Sequence, residues 1–567
     1  MRKNLIAMSV ATLVAGLGLA GGAAANVLRD DGAATISPTN ATAETVTNGG
    51  IGHQLIVPYY NVQGGNATLF NIVNTDLVNG KAVKVRFRGA SNSDDVFDFQ
   101  LFLSPGDVWA TTLTKAADGT ATLSTIDKSC TLPNVINGTP FVTARLPAFL
   151  TAAQKSQQTR EGYIEIFNMA DIPPFTPTAV TGAPSATVNP LFTAIKHVNG
   201  TPPGCASAAT NALAADPANR DAAYALGFRA PSTGLFANFT IINVPKSGAA
   251  TGEAVSIAAT IGVNGANGFG NIVFFPQVAG SNPTPDIFTA DPALKIVNGG
   301  ATGVNTGTAA LLAYPGGTPL VAISQFDLPD LSTPYLVLPA YPPTAQDPLN
   351  QAENLTRSLA VVNVINEFIT DPVIAANTDW VFSLPTRRYS VALDYRPATA
   401  AAVTNAQRAF TKFPNRDYFD ASNSPVQLSA ATGMPQICVT TASTVFFDRE
   451  EGTFIGSNFV ISPNPPAPQF ALCGEANVLT FNSPFGASVL GAEISAANTT
   501  VPNNVSVGWA QVNTPGLTTG VAGLATGNGL PILGKAYVTA RNNAVQAGFT
   551  TNFGGSWEHR YQRPATP

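Results

Sequence analysis

A mainly β fold, several β-sandwich-like domains with one or two short helices and long Ala/Gly/Thr-rich loops, is what this 567-residue sequence predicts. Three observations carry it: apolar and polar residues alternate with period 2 in short runs, turn signals separate those runs, and helical periodicity is scarce. The clearest run is AVKVRFRG (82–89), where Val83, Val85 and Phe87 point one way and Lys84, Arg86 and Arg88 the other. Such alternation describes a half-buried antiparallel strand.

The other elements follow in chain order. Residues 54–62 (QLIVPYYNV), 67–75 (ATLFNIVNT) and 96–109 (VFDFQLFLSPGDVW) complete the first strand group, with turns at Gly64-Gly65-Asn66, Asn79-Gly80 and Ser104-Pro105-Gly106-Asp107. A second group begins near Tyr224. Its segment ANFTIINV (237–244) echoes LFNIVN (69–74), and duplication and convergent strand–turn patterning explain the echo equally well. Residues 216–227 carry cap signals for a short helix, and 347–369 is the strongest helical candidate, with Leu355, Leu359, Val362 and Ile365 on one face. Its β-branched second half also suits a strand. Tracts at 26–50, 176–190, 245–270 and 290–310 read as loops or linkers. SVGWAQV (506–512) and KAYVTARN (535–542) mark a last β-rich block.

These elements suggest a signal peptide (1–25), a flexible N-terminal segment (26–50), a first β-sandwich-like domain (51–205) and a β-rich second domain (206–290). A mixed domain with the candidate helix 347–369 (291–435) and a C-terminal β-rich domain (436–567) follow. The leader is read from Arg2 and Lys3, the apolar run from Leu5 to Ala20, and the small residues Ala23 to Ala25, with cleavage expected between Ala25 and Asn26. After it, no apolar stretch of about 18 residues predicts a membrane-spanning helix.

Composition narrows the function. There are 29 Lys+Arg against 34 Asp+Glu, a net charge of -5, and only 11% of residues are charged, which argues against a nucleic-acid partner. At 45% hydrophobic the chain can build large cores, so disorder throughout is excluded. The 50 Gly and 44 Pro follow no G-X-Y period.

Cys130, Cys205, Cys438 and Cys473 form an even set without a CxxC, which favours disulfides in an exported chain. Three pairings are possible; the sequence-local one, Cys130 with Cys205 and Cys438 with Cys473, is preferred. Zinc is disfavoured because only His53, His197 and His559 could join the cysteines.

No catalytic motif emerges. There is no G-x-S-x-G elbow, and a Ser/His/Asp set would have to assemble from distant positions. Residues 529–535 (GLPILGK) approach a phosphate-binding loop, but Ala536 stands where a hydroxyl is needed, so a turn entering a strand is the better reading. Asp94, Asp95 and Asp98 are candidate calcium ligands, since hard oxygen donors cluster there; the competing reading is a solvated turn or a partner surface for Lys84, Arg86 and Arg88. Residues 448–451 (DREE) form a second acidic patch. Trp109, Trp380, Trp509 and Trp557 suit either a carbohydrate-binding cleft or the core.

The runs GHQLIVPYYNVQGGNATLFNIVNTD, KAVKVRFRGASNSDDVFDF, LFLSPGDVW, REGYIEIFNMAD, TDWVFSLPTRR, GKAYVTARNN and FGGSWEHRYQR resemble a group of large exported proteobacterial proteins described as cell-surface or S-layer-like. That resemblance implies location and architecture, with no catalytic residue to carry over. The expectation is therefore a secreted structural protein of a Gram-negative cell surface that self-assembles into a layer or coat. Its partners would be copies of itself and outer-membrane lipopolysaccharide or another surface glycan. The alternative is a secreted carbohydrate-active hydrolase or glycan-binding adhesin.

Overall fold

The computed structural model describes residues 26–28, 41–132, 136–205, 220–274, 348–395, 408–411, 424–454, 470–514 and 529–564, apart from short stretches within these ranges. The leader 1–25, Ala25 included, and the tract 290–310 lie outside the described residues. Asn26 opens a short strand, Asn26–Leu28, paired with Ile272–Phe274.

The chain is mainly β, as its alternation predicts. Sheet A has seven strands in the order Ala43–Val46, Val255–Thr260, Gln54–Asn61, Glu161–Ile172, Gly80–Gly89, Asp95–Leu103 and Cys130–Leu132. Sheet B stacks on it with the order Gly248–Glu253, Leu235–Asn243, Asn66–Asn74, Val108–Lys115 and Ala121–Ser124. The apolar set of each strand turns inward: Val57, Val85, Phe87, Phe99 and Ile166 from sheet A meet Phe70, Ile72, Trp109, Leu113 and Phe239 from sheet B. Phe97 and Phe141 stack in this core with centroids 4.9 Å apart.

A second sandwich follows. Sheet C runs Thr453–Phe454, Ser443–Asp448, Val507–Asn513, Asn363–Ile369 and Arg560–Gln562. Sheet D runs Ala496–Thr500, Ala476–Asn482, Asn377–Ser383, Lys535–Gln546 and Phe549–Glu558. Trp380, Leu479, Phe481 and Ala536 of sheet D face Phe368, Phe446 and Val512 of sheet C. Because side chains alternate across a strand, Val381, Val478 and Tyr537 point the other way and join the first core. Sheet D therefore has apolar residues on both faces, and the two sandwiches share it.

Several expectations are corrected. The boundary at 205/206 divides no sheet, since Leu235–Asn243 pairs with Asn66–Asn74 and Val255–Thr260 with Gln54–Asn61. The boundary at 435/436 is likewise crossed by the pairing of Asn363–Ile369 with Val507–Asn513. The segment 26–50, expected to be flexible, supplies the edge strand Ala43–Val46. The tract 245–270 contains two strands, Gly248–Glu253 and Val255–Thr260, and within 176–190 the strand Pro184–Val188 pairs with Phe175–Pro177. The helix expected over 347–369 spans Pro348–Leu359 and gives way to strands at Ala360–Val361 and Asn363–Ile369, where β-branched residues take over. The short helix expected over 216–227 spans Arg220–Ala225 among the described residues, and Ala152–Gln158, Pro190–Ile195 and Arg387–Ser390 are short helices beyond the one or two expected.

The two segments that echo each other in sequence lie side by side, antiparallel, with Phe70 opposite Phe239 and the same burial alternation along both. Both preferred disulfides form, Cys130–Cys205 and Cys438–Cys473.

Candidate functional site

The polar face of Gly80–Gly89 is not solvated. Every residue of that strand is buried, including Lys81, Lys84, Arg86 and Arg88, which corrects the half-buried reading. Lys84 Nζ meets Asp98 Oδ1 at 2.5 Å, and Arg88 Nε donates to Glu165 Oε2 at 2.8 Å. Burial pushes the Lys84 ammonium below its usual range, with Asp98 opposing the shift.

The second half of the chain closes over this face. Tyr389 donates to Glu165 at 3.0 Å, Tyr395 to Asp94 at 3.1 Å, and Arg388 to the Ser93 carbonyl. Behind them Arg387 pairs with Glu475 at 2.7 Å, while the Glu475 and Ala476 amides donate to the Ala90 carbonyl. Asp94 and Asp98 thus engage a tyrosine and a lysine of the protein. All three candidate calcium ligands are buried, and among the described residues no group of three His, Cys, Asp or Glu side chains is placed to hold a metal ion. Asp98 fits the reading of a partner for the basic strand through Lys84, and Asp94 faces Tyr395 and Arg388 of the second half of the chain.

The histidines divide two and one. His53 accepts from the Ala259 amide through Nδ1 and bonds the Gly268 carbonyl through Nε2; burial lowers its pKa to about 3. His559 bonds the Val381 carbonyl through Nε2 and Asn366 through Nδ1, and burial lowers its pKa to about 4. Both are structural. His197 is the one that meets a serine and an aspartate: Nδ1 lies 3.3 Å from Ser104 Oγ and 3.5 Å from Asp107 Oδ2. A Ser/His/Asp relay needs serine and carboxylate on opposite ring nitrogens. Here both address Nδ1, so the cluster fixes the 104–107 turn and is no charge relay.

The remaining sequence candidates resolve simply. Leu530–Pro531 pairs with Ala360–Val361, and Lys535 opens a strand and pairs with Glu558, as a turn entering a strand requires. Asp448 accepts from the Glu450 and Gly452 amides, so 448–451 is a turn. Trp109 and Trp380 are buried in the two cores and Trp509 stacks on Phe447 at 3.8 Å, whereas Trp557 is 40% exposed.

One buried acid ties the two sandwiches together. Asp379 Oδ2 accepts from Ser488 Oγ at 2.7 Å and the Leu490 amide at 2.9 Å, and the Leu490 carbonyl accepts from Asn61 and Asn66 of the first sandwich. Burial raises the Asp379 pKa from 3.8 to about 6. A folded-state pKa above the unfolded value means folding takes up a proton between about pH 4 and 6, so this group's contribution to stability falls as pH rises through that window. Asp379→Asn is expected to gain on the wild type by about 3 kcal/mol between pH 4 and pH 6 and to hold that gain above. Urea unfolding of both proteins across pH checks it; a difference independent of pH would refute it.

The outer face of sheet B is an open surface built by five strands. Directly opposed positions form the rows Ala110–Asn71–Asn238–Glu253 and Ser124–Thr112–Leu69–Thr240–Thr251, with the shorter sets Thr122–Thr114 and Ala67–Ile242–Ala249 beside them. These side chains are half-buried or exposed, and Glu253 at one corner is the only charge among them. Ile126, 95% exposed, overhangs a cavity of about 720 Å³ on this face. The sequence reading missed these residues, although the signal was present: Ala67, Leu69, Asn71 and Val73 in 66–74, and Phe236, Asn238, Thr240 and Ile242 in 235–243, alternate with the core set.

Comparison with known proteins yields no match to a family model, to a curated protein or to a solved structure.

Proposed function

We propose that this chain is an exported structural protein that associates with copies of itself at the cell surface, and that the outer face of sheet B is a contact surface. The rows of that face, with Glu253 at one corner as their only charge, carry the reading. Five strands about 4.8 Å apart and up to nine residues long cover roughly 600 Å², close to the ~800 Å² per partner of a stable protein–protein interface. Hydroxyls, amides and isolated apolar side chains on a flat sheet desolvate at low cost, and a net charge of -5 over 567 residues offers little repulsion between copies. The two disulfides are consistent with an oxidising compartment, and no helix among the described residues is long and apolar enough to cross a membrane.

The test is sedimentation velocity and negative-stain microscopy of residues 26–567, wild type against Leu69→Glu/Thr112→Glu. Two carboxylates at the centre of the face are expected to weaken association at least about 100-fold, like charges facing each other across a dry contact costing several kcal/mol. Both positions point away from the core, so the fold should hold; as direct cross-strand neighbours the two carboxylates repel within each copy, and the melting temperature should fall only by the small amount that such a pair costs. A wild type that stays monomeric at high concentration, or a double variant that assembles as readily, would overturn the reading; saturable binding to a glycan array would then favour the adhesin alternative.

A further inference from the structure

Where sheet D meets the edge of sheet B, one face of Lys535–Gln546 and Phe549–Glu558 turns toward residues 243–249 and 488–491. Thr539 and Arg541 stand two apart on that face, and Asn552 is the direct cross-strand partner of Arg541. With Lys246, Gly248 and Leu490 they enclose a recess of about 20 Å³, room for one water-sized group. The recess shares Asn243, Gly248, Ala249 and Asn552 with an adjoining groove of about 480 Å³.

The polar atoms here are unsatisfied. Thr539 Oγ1, Arg541 Nε and both amide atoms of Asn552 are sealed from solvent with no hydrogen-bond partner, and Thr539 as a whole is 5% exposed. The described residues give neither Arg541 nor Lys246 an ion-pair partner, and no acidic side chain lines the recess or the groove. Buried cations elsewhere have their acids: Lys81 pairs with Asp171, Lys84 with Asp98, Arg88 with Glu165, Arg387 with Glu475 and Lys535 with Glu558. A guanidinium, an ammonium, a hydroxyl and an amide converge, so donors and positive charge exceed acceptors. An anionic oxygen satisfies that set, while water supplies no compensating charge.

We propose that this seam binds a phosphate-class oxyanion, one oxygen entering the recess between Arg541 and Thr539 and the remainder lying in the groove beside Lys246. The proposal does not depend on self-association, because the seam is formed within one chain and takes in only Ile242 and Ala249 from the end of the sheet B face.

Titration of the protein (residues 26–567) with inorganic phosphate and with glucose 6-phosphate, followed by thermal shift and 31P NMR line broadening, tests it. Saturable binding is expected, weakened about 10-fold or more by Arg541→Gln and by Lys246→Gln, as loss of a hydrogen bond or ion pair to a charged group implies. Thr539→Val, which keeps the shape and removes the hydroxyl, should weaken it several-fold. Lys246 sits on an exposed turn, so its variant reads binding without disturbing the fold. Equal affinity for the two probes would identify free phosphate as the ligand; tighter sugar phosphate would identify a phosphorylated saccharide. No saturable response in the wild type, or affinity unchanged in Arg541→Gln and Lys246→Gln alike, overturns the proposal.

Discussion

Glu475→Ala is expected to destabilise the protein by about 3–5 kcal/mol, the cost of stranding a buried charge without its partner. Arg387 and Glu475 are both fully buried, and the guanidinium reaches the Glu475 carboxylate through Nε at 3.0 Å and Nη2 at 2.7 Å. Nη1 is already committed to the Ile437 carbonyl, and among the described residues Glu475 is the acid that Arg387 pairs with. The same residues anchor the segment that carries Arg388, Tyr389 and Tyr395 onto the first sandwich, so loss should register on both halves as one transition. Arg387→Met/Glu475→Leu removes both charges and is expected to recover most of the loss, since a hydrophobic pair of similar volume often matches a buried ion pair. Urea unfolding of the single and double variants measures both. A single variant costing below about 1 kcal/mol would mean that water reaches the pair and screens it.

How much of this was legible in the sequence depends on the range of the physics involved. Local alternation set the strand Gly80–Gly89 and its core face of Val83, Val85 and Phe87, and the turn Ser104–Asp107 separated two strands within the single run 96–109. Proximity along the chain was enough to favour both disulfide pairings. Alternation says only that one face is polar; whether that face meets water or protein is decided by Tyr389, Tyr395 and Arg388, some 300 residues away. The domain boundaries failed for the same reason, because sheet A takes strands from both sides of residue 205 and hydrogen-bond partners leave no trace in composition. The end of the helix at Leu359 was half visible: the periodicity of Leu355 and Leu359 continues through Val362 and Ile365, but β-branched side chains fit the strand better. At the candidate sites, Leu69, Asn71, Asn238 and Thr240 could have been read as an outer face, whereas nothing in sequence separates Arg541, with no ion pair among the described residues, from Arg88, paired with Glu165.

Removing the Cys130–Cys205 disulfide should have an effect of similar size, with a different distribution. The bridge closes 75 residues and Cys438–Cys473 closes 35; in the chain-entropy picture these contribute about 4.5 and about 3.8 kcal/mol, a difference of about 0.7 in favour of the longer loop. Their surroundings should widen that gap. Cys438 and Cys473 face each other on adjacent strands already held by ladder hydrogen bonds, so that register survives reduction. Cys205, in contrast, ends the segment that follows the helix Pro190–Ile195 and carries His197 against Ser104 and Asp107. Cys130→Ser/Cys205→Ser should therefore lose amide protection across 196–204 while the Phe70–Phe87–Phe97 core stays protected. Cys438→Ser/Cys473→Ser should lose global stability with little local change. Hydrogen exchange alongside urea unfolding separates the two patterns. If the shorter bridge proved the costlier to remove, strand register and packing at Cys438–Cys473, more than loop length, would be setting the stability of the second sandwich.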